Sequence, residues 1–231
     1  MRILHATLAD MRFQMKQGFY VVYVAIVVMY LIALSFLPEE INKIVLPLVV
    51  FSDPSVLGLF FIGGIIMLEK LQGLLQVFVV TPLRTTEYLL SKVISLSTVS
   101  VLATFAITIF SKHGGINWFL LFIVTVLTSS IFTLCGILIS AGCRNVNQYM
   151  LKTIPYMLLF VLPCFSLIGF PFSYIFTLVP SVAALRLILG AYNGIPLSES
   201  LGLIVYLLFM NYLFFRWTVC VFEKKIVFDE A

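Results

Sequence analysis

Residues 18–37 are twenty consecutive positions without a charged side chain. A run of that length matches the thickness of a bilayer, and inside hydrocarbon it has to be an α-helix, because each backbone N–H and C=O must find its partner within the segment. Comparable apolar stretches follow at 44–68, 93–111, 117–141, 153–170 and 201–219. Hydrophobic residues make up 62% of the chain and charged residues 10%, against about 45–50% and about 25% in soluble domains, which excludes a water-soluble globular fold. The expected fold is all-α and integral to the membrane. Its six transmembrane helices form a single domain over 1–231, with no room for a soluble domain of ordinary size. Residues 1–17 carry charges, and a full-length span follows them, so no cleavable signal peptide is expected.

The segment before the first span places Leu4, Leu8, Met11 and Met15 on one helical face, with Arg2, His5, Arg12 and Lys16 around the rest. That pattern predicts an interfacial helix over 1–17, on the side of the membrane where basic residues gather. Counting Lys and Arg between spans gives eleven on that side, from Arg2 to Lys225. Lys43, Lys112 and Arg186 are the three on the other. The asymmetry places both termini, and the 69–92 loop, in the cytoplasm.

Two intervals break the simple pattern. In the second span, Ser52-Asp53-Pro54 reads as an N-cap followed by the first residue of a helix. A helix from 54 to 68 reaches only about 22 Å at 1.5 Å per residue, so a broken span is expected. Asp53 then serves either as a cap near the outer side or as a polar contact or gate in a translocation path, since a bare carboxylate at mid-bilayer costs about 2.5–3.5 kcal/mol. In 171–200 the pieces 172–179 and 182–191, separated by Pro180 and containing Arg186, are each too short to cross. They predict an outer re-entrant hairpin between spans five and six, with Arg186 reaching a carboxylate or a lipid headgroup.

Hydroxyl and small residues recur along spans three and four: Ser97, Ser100, Thr104, Thr108 and Ser111, then Thr125, Ser129, Thr133, Gly136 and Ser140. Such faces pack helices closely, and the alternative is that Ser100 and Thr104 line a path. Asn211 in the sixth span is expected to bond between helices, or else to touch substrate.

The interval 69–92 is the longest polar one trapped between apolar spans. Leu71, Leu74, Leu75 and Phe78 fall on one helical face, with Lys70, Gln72, Gly73 and Gln76 filling other positions. Pro82 ends that helix, and Thr85 or Thr86 can cap the next, whose first turn carries Glu87. An amphipathic helix ending at Thr81-Pro82-Leu83-Arg84, followed by Glu87-Tyr88-Leu89-Leu90-Ser91-Lys92, resembles the cytoplasmic loop of type-two ABC exporter permeases, the ABC-2 type transporter family. Within that family the chain is similar to small bacterial drug-export permeases, notably those for fluoroquinolones. The outer hairpin is a second point of likeness.

The resemblance implies a permease subunit of a bacterial cytoplasmic-membrane exporter, moving an amphipathic small molecule, lipid or peptide. It implies pairing with a second permease subunit, identical or homologous, in contact with membrane lipid. A cytoplasmic ATPase subunit would dock on the coupling helix 69–81 and the turn after it, through Glu69, Lys70, Gln72, Gln76, Thr81, Pro82, Arg84 and Glu87. ATP and Mg would belong to that partner, since no G-x-x-x-x-G-K-[ST] motif occurs here.

Other classes fare worse. Asp53 is the one acidic residue inside an expected span, so a membrane-embedded enzyme lacks converging groups. Glu39 and Glu40 have no histidines on neighbouring spans, with His5 and His113 both outside them, and Cys135, Cys143, Cys164 and Cys220 lack metal-site spacing. Catalytic residues, bound cofactors and nucleic-acid partners are not expected. A non-transporting scaffold or immunity protein that binds a peptide remains the alternative.

Overall fold

The computed structural model describes residues 2–74, 84–111, 115–164 and 178–224, apart from the side chains of 54–57. The amphipathic segment forms α1 (Arg2–Lys16), which meets α2 (Phe19–Ser35) at 72°. Gly18 makes the corner with φ 78°, a left-handed conformation that glycine adopts without steric cost.

After Pro38, α3 (Glu39–Leu71) runs for 33 residues, with Glu39 and Glu40 in its first turn. This corrects the expectation of a broken second span. The helix passes through Ser52-Asp53-Pro54 without interruption, and Asp53 is not an N-cap. Proline removes one ladder hydrogen bond, a loss that membrane helices absorb through nearby hydroxyls and packing. The carbonyl left over is that of Val50, which is fully buried beside Asp53, and Ser52 Oγ donates one residue earlier, to Val49 O at 2.9 Å. The Asp53 carboxylate is engaged elsewhere, by Tyr23.

Then follow α4 (Thr85–Phe110), α5 (Trp118–Ala141), α6 (Val146–Val161), α7 (Pro180–Asn193) and α8 (Leu197–Phe222). Among the described residues four helices, α3, α4, α5 and α8, are long and apolar enough to cross a membrane, and the bent pair α1–α2 makes a fifth if it counts as one span. The described 16 residues of α6 fall short of the about twenty needed. Residues 165–170 of the expected fifth span, and 171–177 of the hairpin, lie outside the described residues. The second hairpin piece is present as α7, whose Val182, Leu185, Leu187 and Ile188 are buried rather than laid on a surface.

At the centre stands α5, packed against α3, α4, α7 and α8. The hydroxyl faces explain how. Ser97, Ser100, Thr104 and Thr108 on α4, and Thr125, Ser129, Thr133 and Ser140 on α5, are all buried. Ser100 Oγ and Ser129 Oγ meet at 3.3 Å. Opposite them, Gly58 of α3 lies against Phe132 and Thr133, while Gly136 of α5 lies against Leu59 and Ile62. Small residues let these backbones approach, as expected where helices associate without a hydrophobic drive between them. The outer faces stay apolar: Leu201, Val205, Leu208, Tyr212 and Trp217 of α8 are exposed, a surface suited to lipid.

Candidate functional site

The end of the bundle where α3 finishes and α4 begins holds a buried ionic cluster. Glu69 sits in the last turn of α3. Tyr88 and Lys92, four residues apart, share one face of α4. On α1, Asp10 and Gln14 are four apart and turn toward that face. Lys92 Nζ lies 2.6 Å from Asp10 Oδ1 and also ion-pairs with Glu69 Oε1. Tyr88 OH donates to Glu69 Oε2 at 2.5 Å, Ser91 Oγ donates to Asp10 Oδ2 at 2.6 Å, and Gln14 Nε2 donates to Ser95 Oγ at 2.5 Å. The Lys92 ammonium also stands 5.1 Å from the Tyr88 ring centroid, whose other neighbour is Phe222 at the end of α8.

The Lys92 side chain is 1% exposed. A desolvated ammonium is tolerable because two carboxylates surround it, and the excess negative charge is spread over hydroxyl donors. The cluster therefore ties together α1, α3 and α4, with α8 held against Tyr88. Lys70 adds α5: its Nζ donates to Cys143 O at 3.2 Å, at the helix end where carbonyls lack intrahelical partners.

Several residues expected to face a partner can now be placed. The Glu69 carboxylate points inward, which corrects its expected position on a contact surface; pairing with buried Lys92 outweighs solvation. Lys70 is half-buried, while Gln72 and Arg84 are exposed. Arg84, not Thr85 or Thr86, takes the N-cap position of α4; its backbone N–H donates to Glu87 Oε2 at 3.0 Å, and the guanidinium is left outward. Gln76, Thr81 and Pro82 lie outside the described residues. Asp10, Gln14, Tyr88 and Ser91 were not legible as site residues. The four-residue spacing within each pair was the available signal, but spacing does not say which helices face one another.

Of the five residues considered for a path or gate, Asp53 and Ser100 meet at Tyr23, while Asn211 and Arg186 lie elsewhere. Asp53 is fully buried on α3, with one oxygen accepting from Tyr23 OH at 2.6 Å and the other without a partner among the described residues. Ser100 bonds Ser129 and, with Tyr23, borders a cavity of about 20 Å³, the size of a water site. Thr104 Oγ1 is buried without a partner among the described residues. Asn211 lines a separate groove beside α8. Arg186 of α7 pairs with Glu199 of α8 at 2.6 Å, at the opposite end from Lys92. Also at that end, Thr108 Oγ1 and Tyr192 OH meet at 2.7 Å, and burial pushes the Tyr192 hydroxyl up to about 12. A cavity of about 610 Å³ there is lined by Leu31, Leu34, Glu39, Asn42, Lys43 and Phe110.

An all-helical bundle, among the described residues, with an apolar exterior and several helices long and apolar enough to cross a membrane is the architecture of a multi-pass membrane protein. The chain belongs to the fluoroquinolones export permease protein family, whose model it matches over residues 1–230. Two similar proteins are the fluoroquinolones export permease proteins MT2761 of Mycobacterium tuberculosis (strain CDC 1551 / Oshkosh) and Rv2687c of Mycobacterium tuberculosis (strain ATCC 25618 / H37Rv). Each is 26% identical over 200 residues, covering 85% of this chain and 84% of the relative. No solved structure matches the chain.

Proposed function

We propose that the chain is the membrane-spanning subunit of an ATP-driven exporter, moving amphipathic drugs such as fluoroquinolones outward by alternating access. Two permease subunits, identical or homologous, form the membrane part, and two cytoplasmic ATPase subunits bind ATP and Mg. Six spans cross the bacterial cytoplasmic membrane, and both termini are cytoplasmic. The eleven-to-three distribution of Lys and Arg supports this orientation.

The observation that carries the mechanism is the Asp10–Lys92–Glu69 cluster. It joins the helix before the loop, the helix after it and α1 into one body, so a push on the loop moves all three together. The outward-facing groups available to an ATPase are Gln72 and Arg84, with Glu87 and Lys70 half-buried, and the sequence adds Gln76, Thr81 and Pro82 to the expected contact. Glu69 acts from inside, transmitting the push rather than receiving it. The drug class rests on likeness to the relatives' names. Co-purification of a Walker-motif ATPase in mild detergent tests the partnership: retention by wild type and release by Arg84→Glu supports it. Absence of any ATPase, with drug efflux undiminished when the cell's ATPase genes are deleted, rejects it.

A further inference from the structure

Asp53 stands fourteen residues after Glu39 and eighteen before Leu71 on α3, near the middle of the crossing, and it is fully buried. Tyr23 of α2 donates to Oδ2 alone, at 2.6 Å. Oδ1 has no partner among the described residues, and no Lys or Arg among them acts on the carboxyl. The groups around it are hydroxyls. Tyr23 and, beyond it, Tyr30 come from α2, while Ser100 of α4, bonded to Ser129 of α5, faces the Tyr23 hydroxyl. The ion pairs among the described residues, Lys92 with Asp10 and Glu69 and Arg186 with Glu199, lie at the two ends of the bundle.

An ionised carboxylate so placed has one donor and no counter-charge, a combination that membrane interiors penalise heavily. The backbone beside it calls for a donor instead. Pro54 has no N–H, so the carbonyl of Val50, four residues back, lacks its ladder hydrogen bond, and Val50 is fully buried. Asp53 is three residues from Val50, a spacing at which a short side chain on a helix reaches back to a backbone carbonyl. Two acceptors at that spacing repel one another, whereas a proton on Oδ1 turns them into a donor and an acceptor. The Asp-Pro pair then supplies from the side chain the bond that proline removes from the backbone.

We propose that Asp53 is a proton-binding site in the membrane core, a neutral acid whose Oδ1–H donates to Val50 O and whose Oδ2 accepts from Tyr23, and that its proton exchanges with the cytoplasmic end of the bundle. The cavity of about 20 Å³ bordered by Tyr23 and Ser100 is also lined by Gln14 of α1, and it has room for one water. Gln14 and its partner Ser95 stand one turn from Asp10 and Lys92 on their respective helices. When the proton leaves, the Oδ1–H bond breaks, its electron pair stays on the carboxylate, and the proton passes by Tyr23 and Ser100 to water in that cavity. This goes beyond the export reading and does not rest on it.

The test is infrared difference spectroscopy on the full chain in nanodiscs at neutral pH, wild type against Asp53→Asn. The expected result is the C=O band of a protonated carboxylic acid in wild type and its loss in the variant; absence of that band from wild type means an ionised Asp53 and overturns the site. Two further variants keep the acid and each remove one of its partners: Tyr23→Phe takes the donor from Oδ2, and Pro54→Ala gives Val50 O a backbone donor in place of Oδ1–H. Each is expected to move the band without abolishing it, and a band that neither variant moves belongs to another acid and overturns the assignment. Transfer into heavy water reads the route. Ser100→Ala and Gln14→Leu are each expected to slow the deuterium shift of the band about tenfold or more, while Leu201→Ala on the exposed face of α8 leaves it unchanged. Wild-type exchange rates in both Ser100→Ala and Gln14→Leu overturn the cytoplasmic route.

Discussion

The Lys92 ammonium lies 2.6 Å from the Asp10 carboxylate although the two residues are 82 positions apart, and both belong to helices that meet beside the loop after α3. A contact of that kind is sensitive to losing either partner, because what remains is a buried charge.

Lys92→Met leaves Asp10 and Glu69 facing each other without a cation. Removing one member of a buried ion pair costs about 3–5 kcal/mol, so the variant is expected to melt far below wild type in detergent. A loss under about 1 kcal/mol would mean that water reaches the cluster and screens it.

Tyr23→Phe takes away the hydrogen bond to Asp53 and leaves a fully buried carboxyl with no donor among the described residues. The expected cost is about 1–3 kcal/mol, read by denaturant titration. An unchanged midpoint would show that a second donor replaces the phenol.

Two glycines should behave in opposite ways. A Cβ on Gly63 would overlap the ring of Tyr149, whose hydroxyl bonds Leu59 O, so Gly63→Ala should lose about 1–3 kcal/mol through overpacking. Gly202 on α8 has open space around it, and Gly202→Ala should gain about 0.5–1 kcal/mol from helix propensity. Thermal melts of the pair settle the matter, and equal shifts would contradict the packing described between α3 and α6.

Arg186 and Glu199 form an ion pair that is 46% and 33% exposed. Arg186→Ala is therefore expected to change stability by no more than about 1 kcal/mol, and less at high salt. A larger, salt-insensitive loss would assign the pair a desolvated setting.

Orientation can be read with impermeant maleimide in a Cys220→Ser background. Lys224 and Glu40 are both exposed, near opposite ends of the bundle. A cysteine at 40 should react in intact cells, and one at 224 only after the membrane is opened; the reverse pattern refutes the proposed topology.

Most of the helices were legible in the sequence because their cause is local. An uncharged run such as 18–37 has one way to satisfy its backbone in hydrocarbon, and the amphipathic stripe Leu4, Leu8, Met11 and Met15 specifies α1 by its own period. The hydroxyl faces of α4 and α5 announced close packing for the same reason. Asp53-Pro54 misled because the local preference for a cap competes with tertiary context. Tyr23 holds the carboxyl, and the surrounding helices carry the cost of the missing hydrogen bond, so α3 continues. Glu69 reads as a surface residue when only its neighbours in sequence are known. Lys92 and Asp10 turn it inward, and that pairing depends on which helix faces which. The sequence by itself determined the helices and their apolar surfaces, since hydrocarbon imposes the same rule on every segment. Tertiary structure alone decided which charges meet, because a buried ion is stable only where another helix brings its counter-charge.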